Sequence, residues 1–131
     1  MQLHRGDIFK IIFPYTFDRE HPNGKSKYVV VLQDGEYFEF YDTTVILLIT
    51  KNPDCEKYPT DVKIEQGTTR LPLVSWINCA QQYPVRKSLF SESLFFGRLS
   101  QKVMDKVDAA LYLGLCMGTQ VDESINPAVN C

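Results

Sequence analysis

The chain has 131 residues, enough for one domain with a core of its own. A formal net charge of −2 excludes a general basic field, so any nucleic-acid site has to be a local patch on an acidic body. The four cysteines form no CxxC pair, the N-terminus MQLHRGDIFK is polar, and no apolar run nears the ~20 residues of a membrane helix. These features predict a reduced, cytoplasmic protein with free thiols, no structural zinc and no membrane span.

Taken in order, DIFKIIF (7–13) is rich in Ile and Phe and predicts a first strand. The next 13 residues, PYTFDREHPNGKS (14–26), carry two prolines and a glycine and predict a loop longer than a plain connector. KYVVVLQ (27–33) predicts a strand covered on both faces. Asp34-Gly35 is a turn signal, and TVILLIT (44–50) is a second continuous apolar run, the mark of a central strand. DVKIEQ (61–66) alternates, with Val62 and Ile64 on one side and Lys63 and Glu65 on the other, as a half-exposed strand does. LPLVSWINCAQQY (71–83) predicts one or two strands with a bend near Ser75.

The period then changes. Ser100 stands at an N-cap position, and Val103, Met104, Val107, Ala110, Leu111 and Leu115 follow at helical spacing. This predicts an amphipathic helix of about 14 residues packed on a sheet. Several strands followed by one helix argue against a doubly wound parallel sheet. They predict a mainly β domain, a small, strongly bent antiparallel sheet or barrel closed by a C-terminal helix.

No phosphate loop, HExxH or GxSxG occurs. The only histidines, His4 and His21, lack a metal-ligand pattern, so no metal and no cofactor is expected. His21 lies in the long first loop, where it is either a solvated side chain or a general acid–base. Polar groups gather at strand ends: Lys27, Thr50, Lys51, Gln81, Gln82, Tyr83, Arg86 and Lys87. Sharing one edge of a bent sheet, they would offer cations for phosphate, amides for base edges and a ring for stacking. Polar residues also gather at strand ends in sheet proteins with no such role.

Five stretches, in order, resemble the MazF/PemK family of toxin endoribonucleases: RGDIFKIIFPYTFD, KSKYVVVLQD, VILLITKNP, LPLVSWINCAQQYPVRKSLF and FGRLSQKVMDKVDAALYLGL. The resemblance implies an SH3-like barrel of MazF/PemK/CcdB type with a C-terminal helix over residues 1–118; the remaining 119–131 show no period and predict a flexible tail. The resemblance also implies a homodimer, a small antitoxin partner, and metal-independent cleavage of single-stranded mRNA by 2′-OH attack, leaving a 2′,3′-cyclic phosphate. It assigns Lys27 and Thr50 as the catalytic pair, with His21 or Glu20 as the local base candidates. Lys25, Lys51, Asn78, Gln81, Gln82, Tyr83, Arg86 and Lys87 are the expected RNA contacts. The chain departs from the family pattern at its chemistry: Lys27-Tyr28 stands where Arg-Pro is usual, and Asn78 and Ala80 stand where many relatives carry Arg and Asp. A lysine keeps the charge but not the two-pronged grip of arginine. The departures leave open a catalytically weak or inactive relative that binds RNA or protein on the same barrel.

Overall fold

Residues 1–16, 18–65, 67 and 69–116 are described by a computed structural model. The strands are β1 (Asp7–Phe13), β2 (Lys25–Val31), β3 (Thr43–Thr50), β4 (Asp61–Ile64), β5 (Ser75–Arg86) and β6 (Phe95–Arg98), followed by helix α1 (Gln101–Gly114). They form one six-stranded sheet in the order β4-β5-β3-β2-β1-β6, with every pairing antiparallel. The sheet curls into a half-barrel carrying the helix, as the mainly β pattern predicts. The expected tail, 119–131, lies outside the described residues. Among the described residues no helix is long and apolar enough to cross a membrane.

The strand sequences explain the layers. β2 and β3 are central, and Val29, Val30, Val31, Ile46 and Leu47 are all fully buried, which is why these runs do not alternate. Two cores result. One joins Ile8, Val30, Leu47, Ile77 and Cys79 to the helix through Met104, Val107 and Ala110. The other joins Phe9, Ile11, Phe13, Val29, Val31, Ile46, Val85 and Phe90. Ser100 caps the helix as expected, its hydroxyl accepting from the Val103 N–H at 3.2 Å. Gly114 lets the helix end lie against β5: a Cβ there would stand 3.3 Å from the Ala80 Cα and the Cys79 carbonyl oxygen.

Two details differ from expectation. The bend in β5 falls at Cys79–Gln82, not Ser75: Asn78 pairs with Leu48 and Tyr83 with Ile46, so four residues of β5 lie against one of β3. β6 has no counterpart in the sequence reading, because a four-residue edge strand with Gly97 at φ 113° has neither length nor alternation to signal it. Among the described residues Cys55 and Cys79 are free thiols.

Candidate functional site

Register decides what the strand ends bring together. Ile11 pairs with Lys27, Tyr28 with Ile49, and Thr50 with Trp76. Continued one step past the last pair, Tyr28–Ile49, the same register sets Lys27 against Thr50. Such neighbours share a face with Cβ atoms about 5 Å apart. Both are half-buried. The Thr50 hydroxyl oxygen accepts from the Asn52 N–H at 3.3 Å, which leaves its proton to point outward.

Where β2 begins and β3 ends, a hollow of about 570 Å³ opens. Lys25, Lys27, Thr50 and Lys51 all line it, together with Lys10, and no Asp or Glu does. Among the described residues, the side chains of Lys25, Lys27 and Lys51 have no hydrogen-bond or ion-pair partner in the protein. Four lysines around one hollow lined by no acid, on a chain of net charge −2, make a local basic patch suited to an anion.

The other expected contacts lie elsewhere. Arg86 pairs with Thr43, seven residues along β3 from Thr50, which is roughly 23 Å at ~3.3 Å per residue. Lys87 follows it and donates to the Phe38 carbonyl at 2.5 Å. Asn78 stands across from Leu48, on the same face as Thr50, its side chain accepting from the Ala80 N–H at 3.1 Å. Gln82 donates to the Cys79 carbonyl at 2.7 Å, and Tyr83 donates to Gln81 at 2.7 Å. Tyr83 packs edge-on against Phe13 and parallel to Tyr15, so its ring belongs to the aromatic core as much as to the surface.

Glu20 and His21 sit in the loop joining β1 to β2, at the same end of the sheet but not on the hollow's lining. His21 Nδ1 meets the Asp18 carboxylate at 2.9 Å, and the Glu20 N–H donates to the same carboxylate at 2.9 Å. That backbone hydrogen bond first, then the His21 contact, hold the Asp18 pKa below its ordinary value; Lys25 adds a smaller pull, so its charge reaches this loop. Asp18, Glu20 and His21 also bring three potential ligand atoms within 4.8 Å of one another. The hydrogen bonds of a surface turn account for that grouping without an ion.

Lys10, on the hollow, and Trp76, beside it, were not singled out by the sequence, and Tyr28 only as a departure from the family pattern. Lys10 pairs with Tyr28 across β1 and β2, its ammonium 5.3 Å from the ring centre. Its one signal is a lone cation inside an apolar strand. Trp76 is buried beside Thr50, its indole N–H without a hydrogen-bond partner among the described residues. Lys63, on its other side, is already occupied by Glu56 and Glu65, and the Glu56 hydrogen bond leads in raising its pKa.

A family described as PemK-like, MazF-like toxin of type II toxin–antitoxin system matches residues 4–115. Among solved structures, an endoribonuclease in complex with its cognate antitoxin, from a mycobacterial species, superposes with a TM-score of 0.70 at 16% identity, covering 90% of this chain and 99% of that one. The MazE–MazF complex of Deinococcus radiodurans gives 0.70 at 17% identity, covering 90% and 99%. The Mycobacterium tuberculosis toxin MazF-mt6 gives 0.65 at 14%, covering 83% and 95%. At these identities the structures speak for the fold alone. Curated protein sequences return no match.

Proposed function

The chain belongs to the PemK-like, MazF-like toxins of type II toxin–antitoxin systems, and from that premise we propose that it is a metal-independent endoribonuclease acting on single-stranded RNA. The observation that carries the proposal is the direct opposition of Lys27 and Thr50 at an acid-free hollow lined by four lysines. A phosphodiester is an anion with non-bridging oxygens that accept hydrogen bonds, and this surface supplies cations and an outward hydroxyl.

In the proposed reaction the ribose 2′-oxygen bonds to phosphorus and the bond from phosphorus to the 5′-oxygen breaks. The products are a 2′,3′-cyclic phosphate and a free 5′-hydroxyl. Thr50 donates to a non-bridging oxygen as negative charge builds on it, and the Lys27 ammonium stabilises that charge and protonates the departing 5′-oxygen. Of the two loop candidates for the base that takes the 2′-proton, His21 is the better oriented, since Asp18 holds Nδ1 and leaves Nε2 for the transfer. Glu20 has no such orientation. The partners this reading brings are a second copy of the chain, in a homodimer, and a small antitoxin that blocks the hollow. A mycobacterial endoribonuclease of the same fold is in complex with its cognate antitoxin, and the Deinococcus radiodurans structure is a MazE–MazF complex.

A second reading is favoured by the lysine at position 27 and by Glu20 and His21 standing off the hollow: the same surface binds RNA without cutting it. Purified protein incubated with single-stranded RNA in EDTA separates the two. The endoribonuclease leaves cyclic-phosphate ends, and a 2′-deoxyribose at the cut position abolishes cleavage. Salt-sensitive binding without any cut, lost on Lys27→Ala, selects the second reading.

A further inference from the structure

Thr50 closes β3, and the chain that follows it is exposed from Lys51 to Asp54. Apolar burial therefore does little to hold the turn that carries the Thr50 hydroxyl. Two polar bonds hold it instead, each reaching from a side-chain oxygen to the N–H two residues on. The Thr50 hydroxyl oxygen accepts from the Asn52 N–H at 3.3 Å, and the Asn52 side-chain oxygen accepts from the Asp54 N–H at 3.1 Å. The second bond is also the N-cap of a short 3₁₀ helix, Pro53–Lys57. Pro53, its first residue, disfavours helical backbone at Asn52, which is extended at φ −75° and ψ 114°.

The helix is in turn tied to the sheet. The Asp61 N–H on β4 donates to the Tyr58 carbonyl at 3.1 Å, the Cys79 N–H on β5 donates to the Thr60 carbonyl at 3.0 Å, and Lys63 on β4 donates to Glu56 at 3.4 Å. Edge strand, helix and cap thus form one path that ends at the Thr50 oxygen. The last bond on that path is long, so it depends on the Asn52 N–H being held within reach. An N–H fixed on one side of a hydroxyl oxygen also selects among its three staggered positions. We propose that Asn52 is a positioning residue for Thr50. Its cap fixes the turn, and its own N–H then holds the one Thr50 rotamer that points the hydroxyl proton at a bound phosphate. Asn52 itself does not line the hollow. The role in catalysis rests on the reading above, whereas the choice of rotamer rests on the turn alone.

Asn52→Ala removes the cap and keeps the backbone N–H, and Asn52→Ser is a neutral replacement that caps about as well as asparagine. NMR reads the Thr50 rotamer from the three-bond couplings of its γ-methyl carbon to the backbone nitrogen and carbonyl carbon. A single staggered position is expected in the unaltered protein and in Asn52→Ser, and averaged couplings in Asn52→Ala. In RNA cleavage, Asn52→Ala lowers kcat about threefold, because a hydroxyl spread over three wells spends about a third of its time in the productive one. KM stays within about twofold, since the donor acts on charge that builds only in the transition state. Asn52→Ser restores kcat. In a Thr50→Ala background, Asn52→Ala leaves kcat unchanged, which a general loosening of the fold would not do. Thr50 couplings that stay unaveraged in Asn52→Ala overturn the inference, and so does an equal fall in kcat with and without the Thr50 hydroxyl. If the couplings respond but no RNA is cut, the proposed reaction fails and the hold of Asn52 on the Thr50 rotamer stands. Cleavage by a protein whose Thr50 couplings ignore Asn52 does the reverse.

Discussion

A hollow at one end of the sheet and a connection at the other carry opposite charge. At the end where β2 starts and β3 stops, Lys10, Lys25, Lys27 and Lys51 line a hollow free of acids. At the other end, the connection from β2 to β3 holds Asp34, Glu36, Glu39 and Asp42, with Tyr37, Phe40 and Tyr41 more than half exposed. A net charge of −2 describes neither end. Averaging over the chain hides a segregation that only appears when antiparallel pairing sends successive connections to opposite ends. The lesson is chemical as well as geometric: cations that find no carboxylate in the protein are available to an anion from outside it, whereas Lys87 at the acidic end is already held by a carbonyl.

The sharpest way to break this contrast is substitution at each end. Lys27→Ala or Thr50→Ala is expected to slow RNA cleavage by about 10²–10³-fold with the fold intact, the usual cost of losing an oriented donor to a developing oxyanion. Arg86→Ala and Lys87→Ala are expected to change the rate by less than about threefold, because Thr43, the partner of Arg86, is seven residues from Thr50 on β3. Single-turnover cleavage with circular dichroism as a fold control decides it. A large loss at Arg86 with none at Lys27 would move the site to the acidic end.

A smaller effect probes how the basic end is held in place. Gly24 has φ 114°, and a Cβ there would lie 2.7 Å from the Phe13 carbonyl oxygen. Gly24→Ala is expected to cost about 1–3 kcal/mol in urea unfolding and to impair RNA binding, since the strain falls where β2 starts. Ser100→Ala tests the helix cap, which lies next to β6, away from the hollow. Its expected cost is about 1 kcal/mol with RNA binding unchanged.

The smallest effect is the pH response of the loop beside the hollow. The folded pKa of Asp18 is depressed, chiefly by the Glu20 backbone hydrogen bond and then by His21. Its contribution to holding the turn is therefore present above the ordinary aspartate pKa of about 4 and is lost as pH falls through the lower folded value. The Asp18 and His21 resonances, followed by NMR between neutral pH and pH 2, should report release of the turn only at the acid end. Asp18→Asn should remove that transition and leave the hollow's affinity for oligonucleotide nearly unchanged.

Much of this molecule was legible in the sequence, for identifiable reasons. β1 was found with its bounds, because a Gly-led Ile/Phe run has little else to be. β3 was found to within one residue and β4 by its alternation. The helix was found with its cap, since Ser100 and a 3.6-residue period carry their own signal. β6 was not found, because four residues are too few for a period to show. The bend in β5 was misplaced because nothing local marks a bulge whose extra residues are defined only by the partner strand.

For the candidate site the division is similar. The sequence by itself determined which residue types were available: a cation before β2, a hydroxyl at the end of β3, and a histidine in a long loop. Tertiary structure decided which of them meet. Register placed Lys27 opposite Thr50, brought in Lys10 and Tyr28, and carried Arg86 and Lys87 to the far end. Spacing along a chain fixes local conformation, but proximity between strands depends on pairing partners that no local window contains.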